Sequence, residues 1–234
     1  MALILRIDVD KPYGRSTSFE KIKSKITEDY YFPKLNFLGY LKATEEFITY
    51  CNSVSVVGIF YFRNCTAPNK RIIDLLNKGG HKIGFHAENT RDFDSFKEEL
   101  EQFKHKVGKI DLHSFTKHGS GDIKIGRNHY PPYEPQKYIE WAKDVGVDFP
   151  FGNENCKLKE DFLNVDNFYP KMFWIHKDYR GGNLETVEDV LDVASYSNVP
   201  VIIHPSNFIA EDYVNSDFKK LVTLAAKNSI QWEV

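Results

Sequence analysis

The chain has 234 residues, of which 41% are hydrophobic and 15% aromatic, so it can bury a substantial core and is not expected to be disordered. Its 31 basic and 33 acidic residues give a formal net charge of −2, so no global field favours nucleic acid or anionic lipid as a partner. We therefore expect a compact ligand that is uncharged or mildly polar.

Short apolar or aromatic runs alternate with longer amphipathic segments, the pattern of parallel strands joined by crossover helices. In chain order the predicted strands are 3–9, 54–62, 81–86, 110–115, 147–151, 168–175 and 199–204, followed by a last helix and strand. The predicted helices between them are 35–50, 69–77, 94–107, 135–145 and 184–195. Residues 117–135 predict a long loop over the active face. No linker or repeat divides this order, so we predict one α/β domain over residues 1–234.

The amino-terminal and cysteine patterns bear on the cellular compartment. The first residues, MALILRIDVD, show no basic leader or cleavage site, and no apolar run approaches the about 20 residues that span a bilayer. Cys51, Cys65 and Cys156 are far apart and odd in number, so we expect reduced thiols. These features favour a cytoplasmic protein without a membrane span. The sequence carries no signature of an oligomeric state.

Side chains of hydrolytic type stand at the ends of three predicted strands. Asp8 and Asp10 end the first strand. His86 follows HKIGF, and His204 follows VPVII. Taken singly, each has a structural explanation, because Asp10 suits a turn, His86 can cap a helix and His204 can pack against a carbonyl. In a barrel, however, the carboxyl ends of the strands meet at one mouth, so the combination favours a shared catalytic site.

Three sequence runs, RIDVD, GGHKIGFH and VPVIIHP, resemble in this order three motifs of the polysaccharide deacetylases of carbohydrate esterase family 4. These motifs are an acidic pair ending the first strand, a G-H-x-I-G-x-H run and a late strand ending in His-Pro. The resemblance covers residues 3–205 and implies a distorted (β/α)7-type barrel of parallel strands. It also implies that Asp8 is the general base and His204 the general acid. Asp10 and His86 are implied as ligands of one divalent metal, with zinc as the expected ion.

The chemistry agrees with this division of roles. A metal held by a carboxylate and imidazoles, with one open position, can polarise an amide carbonyl and lower the pKa of bound water. Asp8 stands two residues before Asp10, so both side chains point to the same side of the strand and Asp8 can reach that water. His204 would protonate the departing amine.

The third metal ligand departs from the family pattern. The family reads H-[ST]-x-x-H, whereas Thr90 stands at the second histidine position here, and threonine is a poor zinc ligand. The usual Arg-Pro-Tyr-type motif is also missing, and residues 116–121, TKHGSG, stand in its place. We predict that His118 supplies the third ligand from the neighbouring strand end. The equally supported alternative is that this His-Gly pair simply forms a turn.

Three functions remain open at this point. The first is a metal-dependent amide hydrolase that removes an N-acetyl group from a sugar or polysaccharide intermediate. The second is a catalytically silent relative that binds carbohydrate, which Thr90 favours and the retained Asp8, Asp10 and His204 oppose. The third is hydrolysis of a non-sugar amide, since a fold fixes no substrate. We expect the first, with a sugar or glycan as substrate.

Overall fold

Strands and helices alternate along the chain in the computed structural model, which describes residues 1–14, 17–31, 34–162 and 167–234. The strands are β1 (Ala2–Val9), β2 (Ile59–Phe62), β3 (Lys82–Ala87), β4 (Phe115–Lys117), β5 (Phe151–Asn155), β6 (Tyr169–Trp174), β7 (Val199–Ile203) and β8 (Gln231–Glu233). The helices are α1 (Ser18–Tyr30), α2 (Lys42–Ser53), α3 (Lys70–Gly79), α4 (Phe93–Val107), α5 (Pro135–Val145), α6 (Val187–Ala194), α7 (Pro205–Ala210) and α8 (Asp212–Lys227).

Seven parallel strands form a nearly closed barrel in the order β4-β3-β2-β1-β7-β6-β5. The two ends of this order approach each other through a parallel bridge between Ser114 and Asp148. There the amide N–H of Phe115 donates to the carbonyl oxygen of Asp148 at 2.8 Å. The short strand β8 is added beside the amino end of β1. This arrangement confirms the predicted distorted (β/α)7-type barrel.

Alternation along the strands produces two cores, because successive side chains point to opposite faces. The odd-numbered residues of β1, from Leu3 to Val9, belong to the large core between the barrel wall and the helices. A smaller cluster from several strands lies on the other face and consists of Ile59, Tyr61, Phe151, Tyr169, Met172 and Ile202. Arg6 and Asp8 occupy this second face of β1. β1 therefore carries two charged side chains on its inner face, and the second of them lies near the mouth at the carboxyl end of the barrel.

Two predicted strands are misplaced. The predicted strand at 110–115 is wrong over most of its length, because β4 begins only at Phe115. The alternation of IDLHSF resembles a strand, but before β4 the segment is tied to β3 by single contacts such as the hydrogen bond from His113 N to Ile83 O at 2.9 Å. The strand predicted at 147–151 begins at Phe151 instead. The strand predicted at 54–62 is also shorter, since Val54 and Ser55 form a turn, in which Ser55 has a φ of 55°, and the strand begins only at Ile59.

Helix α1 is absent from the sequence prediction. Its buried residues are Ser24 and Thr27, whereas Phe19, Ile22 and Ile26 are exposed. Prediction of a helix relies on an apolar face turned to a core, and this helix turns its apolar face outwards. Among the described residues, no helix is long and apolar enough to cross a membrane.

Candidate active site

The five side chains singled out in the sequence come together at the carboxyl end of the barrel. One oxygen of Asp10, Oδ1, lies 3.3 Å from His86 Nε2 and 3.2 Å from His118 Nδ1. The other, Oδ2, lies 3.2 Å from His204 Nε2. Asp8 Oδ2 lies 3.4 Å from His86 Nε2. Asp10 is thus the centre of the cluster, with three imidazoles around its carboxylate.

Strand register explains how these residues meet. His86 on β3 pairs with Thr116 on β4, so His118 emerges just beyond the next strand end. The amide N–H of His118 donates to the carbonyl oxygen of Ala87 at 2.7 Å, which fixes the backbone of His118 beside β3. His86 Nδ1 lies 2.7 Å from the Thr116 hydroxyl oxygen. A hydrogen bond at one ring nitrogen orients the imidazole and leaves Nε2 turned to Asp10.

The donor atoms of Asp10, His86 and His118 fit a divalent cation. One such atom from each residue lies within 4.8 Å of the other two. The short contacts of Asp10 Oδ1 lack hydrogen-bond geometry, and this oxygen and both ring nitrogens of His118 are buried without a hydrogen-bond partner among the described residues. Buried polar atoms normally have partners, so this cluster requires an explanation. A carboxylate with two imidazoles is a donor set that zinc takes in catalytic sites.

The electrostatics of the cluster suit metal ligands. Burial, with the neighbouring Arg63 guanidinium, lowers the pKa of His118 to about 4, so its ring is neutral at pH 7 and offers a lone pair. Burial acts to raise the pKa of Asp10, but the imidazoles around its carboxylate outweigh it, and they hold that pKa well below its usual range. Asp10 is therefore ionised at neutral pH.

Thr90 has a different role from the histidine that it replaces in the family pattern. Its hydroxyl lies 3.2 Å from the hydroxyl of Tyr138, and both side chains lie in the protein interior. The imidazole beside Asp10 Oδ1 comes instead from His118. Thr90 thus packs in the interior, and the second imidazole beside Asp10 Oδ1 belongs to His118, just after β4.

Arg6 is a site residue that the sequence interpretation missed. Its Nε and Nη2 donate to the two oxygens of Asp8 at 2.8 and 2.6 Å, and both side chains are almost fully buried. Its Nη1 donates to Gly152 O at 2.8 Å and to Asn153 Oδ1 at 3.0 Å. Burial acts to raise the pKa of Asp8, but the charge of Arg6 outweighs it and the pKa lies below its usual value. The sequence offered one signal for this role, because Arg6 stands alone within an apolar strand and a buried charge needs a partner.

Arg63 is the second missed residue. It is buried, pairs with Glu88, and its Nη1 lies 3.4 Å from Glu28 Oε2 on α1. The same Nη1 donates to the backbone carbonyl oxygen of Asp10 at 2.5 Å. Arg63 therefore holds the chain just after β1, where Asp10 must be placed.

His204 differs electrostatically from His118. Burial acts to lower the pKa of His204, but the carboxylates of Asp10 and Asp8 outweigh it and the pKa is raised overall. The indole of Trp174 stacks beside the ring, with centroids 5.8 Å apart and planes at 28°. His204 thus keeps a proton more readily than an ordinary histidine, and its ring is fixed by an aromatic neighbour.

A cavity of about 750 Å³ opens in front of these residues. Besides the cluster itself, its wall includes Asn153, Asn155 and Lys157 from β5 and the turn after it, and Trp174 with Tyr179. The rings of Trp174 and Tyr179 lie 4.5 Å apart. The cavity therefore combines polar groups with an aromatic wall.

Two further titratable residues near the strand ends, His129 and Asp148, lie outside this cluster. His129, in the long loop, is buried, and its Nε2 lies 2.8 Å from the carbonyl oxygen of His118. It supports the backbone of the cluster and is not part of the cavity wall. Asp148 precedes β5 and therefore lies toward the amino end of the barrel, away from the mouth.

Solved structures share this fold. A probable polysaccharide deacetylase from Pseudomonas aeruginosa PAO1 matches with a TM-score of 0.53 at 11% identity, over 100% of this chain and 87% of that chain. A CE4 esterase from Streptococcus mutans matches with a TM-score of 0.50 at 10% identity, over 100% of this chain and 85% of that chain. No family model matches the sequence, and no curated protein is similar to it. The likeness at this level of identity concerns the fold.

Proposed function

We propose that this chain, which has the fold of the polysaccharide deacetylases, is a metal-dependent amide hydrolase that removes an N-acetyl group from a sugar or polysaccharide intermediate. The observation that carries the proposal is the approach of His86 Nε2 and His118 Nδ1 to Asp10 Oδ1 in the interior. Neither Asp10 Oδ1 nor the ring nitrogens of His118 have a hydrogen-bond partner among the described residues. The proposed catalytic domain is the whole chain, residues 1–234.

Asp10, His86 and His118 would hold one divalent cation, for which zinc is our candidate because of its preference for this donor set. Such an ion, when bound, would polarise the amide carbonyl and lower the pKa of a bound water. Thr116 would keep His86 oriented through its bond to Nδ1, and Arg63 would keep Asp10 in place through its backbone carbonyl.

Asp8 would accept the proton of the attacking water. Arg6 binds both oxygens of Asp8 and, with the lowered pKa, keeps the carboxylate ionised and fixed at the side of the cluster. A base must be deprotonated before the reaction and within reach of the proton that it takes. Asp8 meets the first condition, and its position 3.4 Å from His86 Nε2 places it beside the proposed ligands.

His204 would donate the proton that the departing amine needs. Its raised pKa favours the protonated ring, and its contact with Asp10 Oδ2 keeps it next to the reacting centre. The stack with Trp174 restricts ring rotation. The base and the acid would therefore approach the substrate from two sides of the ligand cluster.

The composition of the cavity wall supports a sugar substrate over an apolar amide. The amide side chain of Asn155 and the ammonium group of Lys157 can pair with hydroxyl groups, and the ring pair of Trp174 and Tyr179 can pack against a sugar ring. Hydrolysis of a non-sugar amide by the same groups remains the alternative within the enzyme class.

The experiment is metal analysis of protein purified without chelator, followed by detection of free amine released from N-acetylglucosamine oligomers. We expect one equivalent of divalent metal and amine release that stops on chelation. Asp10→Ala and His86→Ala should abolish stoichiometric binding, whereas Asp148→Ala, at the other end of the barrel, should not. Metal binding without amine release from any glycan would favour a non-sugar amide. A protein that binds no metal would favour a silent carbohydrate-binding role and contradict the proposal.

A further inference from the structure

Helix α1 carries an apolar stripe that faces solvent. Phe19, Ile22 and Ile26 follow one another at spacings of three and four residues, so they share one side of the helix. They are 68%, 61% and 42% exposed. The opposite side, with Ser24 and Thr27, is the one that packs against the protein. This orientation is the reverse of an ordinary surface helix, which buries its apolar side.

Two neighbouring segments extend the stripe. Phe37 lies on the short turn of 3-10 helix at Asn36–Leu38, to which Lys23 is tied through a bond to Leu38 O at 2.7 Å. Ile123 and Ile125 lie on the loop to which Lys25 is tied through a bond to Ile125 O at 2.8 Å. Phe37 is 83% exposed and Ile123 78%. Single exposed apolar residues are ordinary, but a cluster from three segments indicates a surface that binds something.

The charges around the stripe are mainly positive. Lys21, Lys124 and Arg127 are exposed, Lys25 is exposed but pairs with Asp29, and Asp122 is the one exposed carboxylate within residues 17–31, 34–38 and 119–128. The acidic residues of α1 are less exposed and already bonded, and the carboxylate of Glu20 accepts from the hydroxyl of Thr17 at the start of the helix. Glu28 faces Arg63, and Asp29 accepts bonds from Lys25 and from the backbone of Arg127. The overall charge of −2 therefore conceals a basic, apolar face.

We infer that the α1 stripe, with the loop residues Ile123 and Ile125, binds the surface of an anionic lipid bilayer. Apolar side chains flanked by lysines are the pattern of helices that lie in the interfacial plane of a membrane. A second copy of the chain suits this face less well. A two-fold interface brings the same patch together, so it would oppose the exposed lysines and Arg127 of one copy to those of the other, with Asp122 as the one exposed carboxylate to match them.

The position of this face relates it to the cavity. Ile125 belongs both to the loop beside α1 and to the wall of the cavity at the carboxyl end of the barrel. A bilayer in contact with the stripe would therefore adjoin the cavity mouth. A substrate located at the membrane surface would then be next to the mouth of the cavity.

Co-sedimentation of the full chain with vesicles tests this inference. Vesicles of equal parts phosphatidylglycerol and phosphatidylcholine should bind the protein, more weakly at high salt, and pure phosphatidylcholine should bind it less. Ile22→Ser/Ile26→Ser should lower the partition coefficient at least about tenfold, because both side chains lose apolar burial in the interface. Lys21→Ala should lower it about fivefold.

Tyr196→Ser is the matched control. Tyr196 is 57% exposed but precedes β7 and so lies toward the amino end of the barrel, and its loss should leave the partition unchanged. All these positions are exposed, and unchanged metal content and circular dichroism would establish that the variants are folded. Absence of binding to anionic vesicles, or wild-type binding by the folded double isoleucine variant, would overturn the inference. So would a dimer, seen by sedimentation velocity, that the double variant abolishes while vesicles remain unbound.

Discussion

Replacing Arg6 with methionine should destabilise the fold strongly, because it leaves the buried carboxylate of Asp8 without its partner. Arg6 donates two hydrogen bonds to Asp8 and one each to Gly152 O and Asn153 Oδ1. Removing one member of a buried ion pair costs about 3–5 kcal/mol. Each of the other two acceptors loses a hydrogen bond that contributes about 1 kcal/mol. A loss of this size is a large part of the stability of an ordinary domain.

The sign of the pH dependence should also change. With Arg6 present, the pKa of Asp8 lies below its unfolded value, so Asp8 contributes stability above that value and loses it as the pH falls. Without Arg6, burial raises the pKa of Asp8 in the folded state. The carboxyl then favours folding at low pH, and this contribution is lost as the pH rises through the folded pKa. The variant should therefore come closer to the wild type at pH 5 than at pH 8.

Urea unfolding of the wild type, Arg6→Met, Asp8→Asn and the double variant measures the coupling, with a chelator present so that metal does not contribute. The double variant has no buried charge at this place, so it should be more stable than the sum of the single effects predicts, by about 2–3 kcal/mol. Single effects that add to within about 0.5 kcal/mol would refute the argument, since they would mean that Asp8 does not depend on Arg6.

Other variants separate the remaining roles. Asp8→Asn should remove amine release and leave the metal bound, because the proposed base is lost and no proposed ligand is; loss of metal would mean that Asp8 shares the ligand role. His204→Ala should likewise keep its metal, and an activity like that of the wild type would exclude His204 as the acid. Burial lowers the pKa of His81 to about 4 in the folded protein. Between about pH 6.5 and 4 the unfolded chain therefore binds one proton more than the folded chain, and stability decreases as the pH decreases. His81→Gln should reduce that slope by up to about 1.4 kcal/mol per pH unit in urea titrations, and an unchanged slope would contradict a buried neutral His81.

The strands were predictable because they follow general rules of pattern, whereas their closure into a barrel was implied by the resemblance to the deacetylases. Apolar runs such as residues 3–9 and 199–204 could be located closely, and α5 begins and ends where the sequence predicts. Because parallel strands of a barrel meet at their carboxyl ends, the strand pattern together with that resemblance predicts that Asp10, His86 and His204 share one mouth. The same rule favours His118, although its strand is shorter and later than predicted.

Other features depend on contacts between distant parts of the chain. The pairing of Arg6 with Asp8 is local, but its burial depends on Gly152 and Asn153, about 146 residues away. Sequence alone does not give the partner that makes a buried arginine tolerable. Helix α1 was missed for the opposite reason, because its apolar residues turn to solvent and the usual pattern of a packed helix is reversed.

Asp10, His86 and His118 are proposed to bind one divalent cation between them. The most direct test of this site is the zinc affinity of the wild type, His118→Ala and Thr90→Ala, measured by competition with a chelating dye. We predict one equivalent of zinc for the wild type, a loss of more than about 100-fold in affinity for His118→Ala, and a change of no more than a few fold for Thr90→Ala. Wild-type affinity in His118→Ala, or no binding by the wild type, would contradict the account.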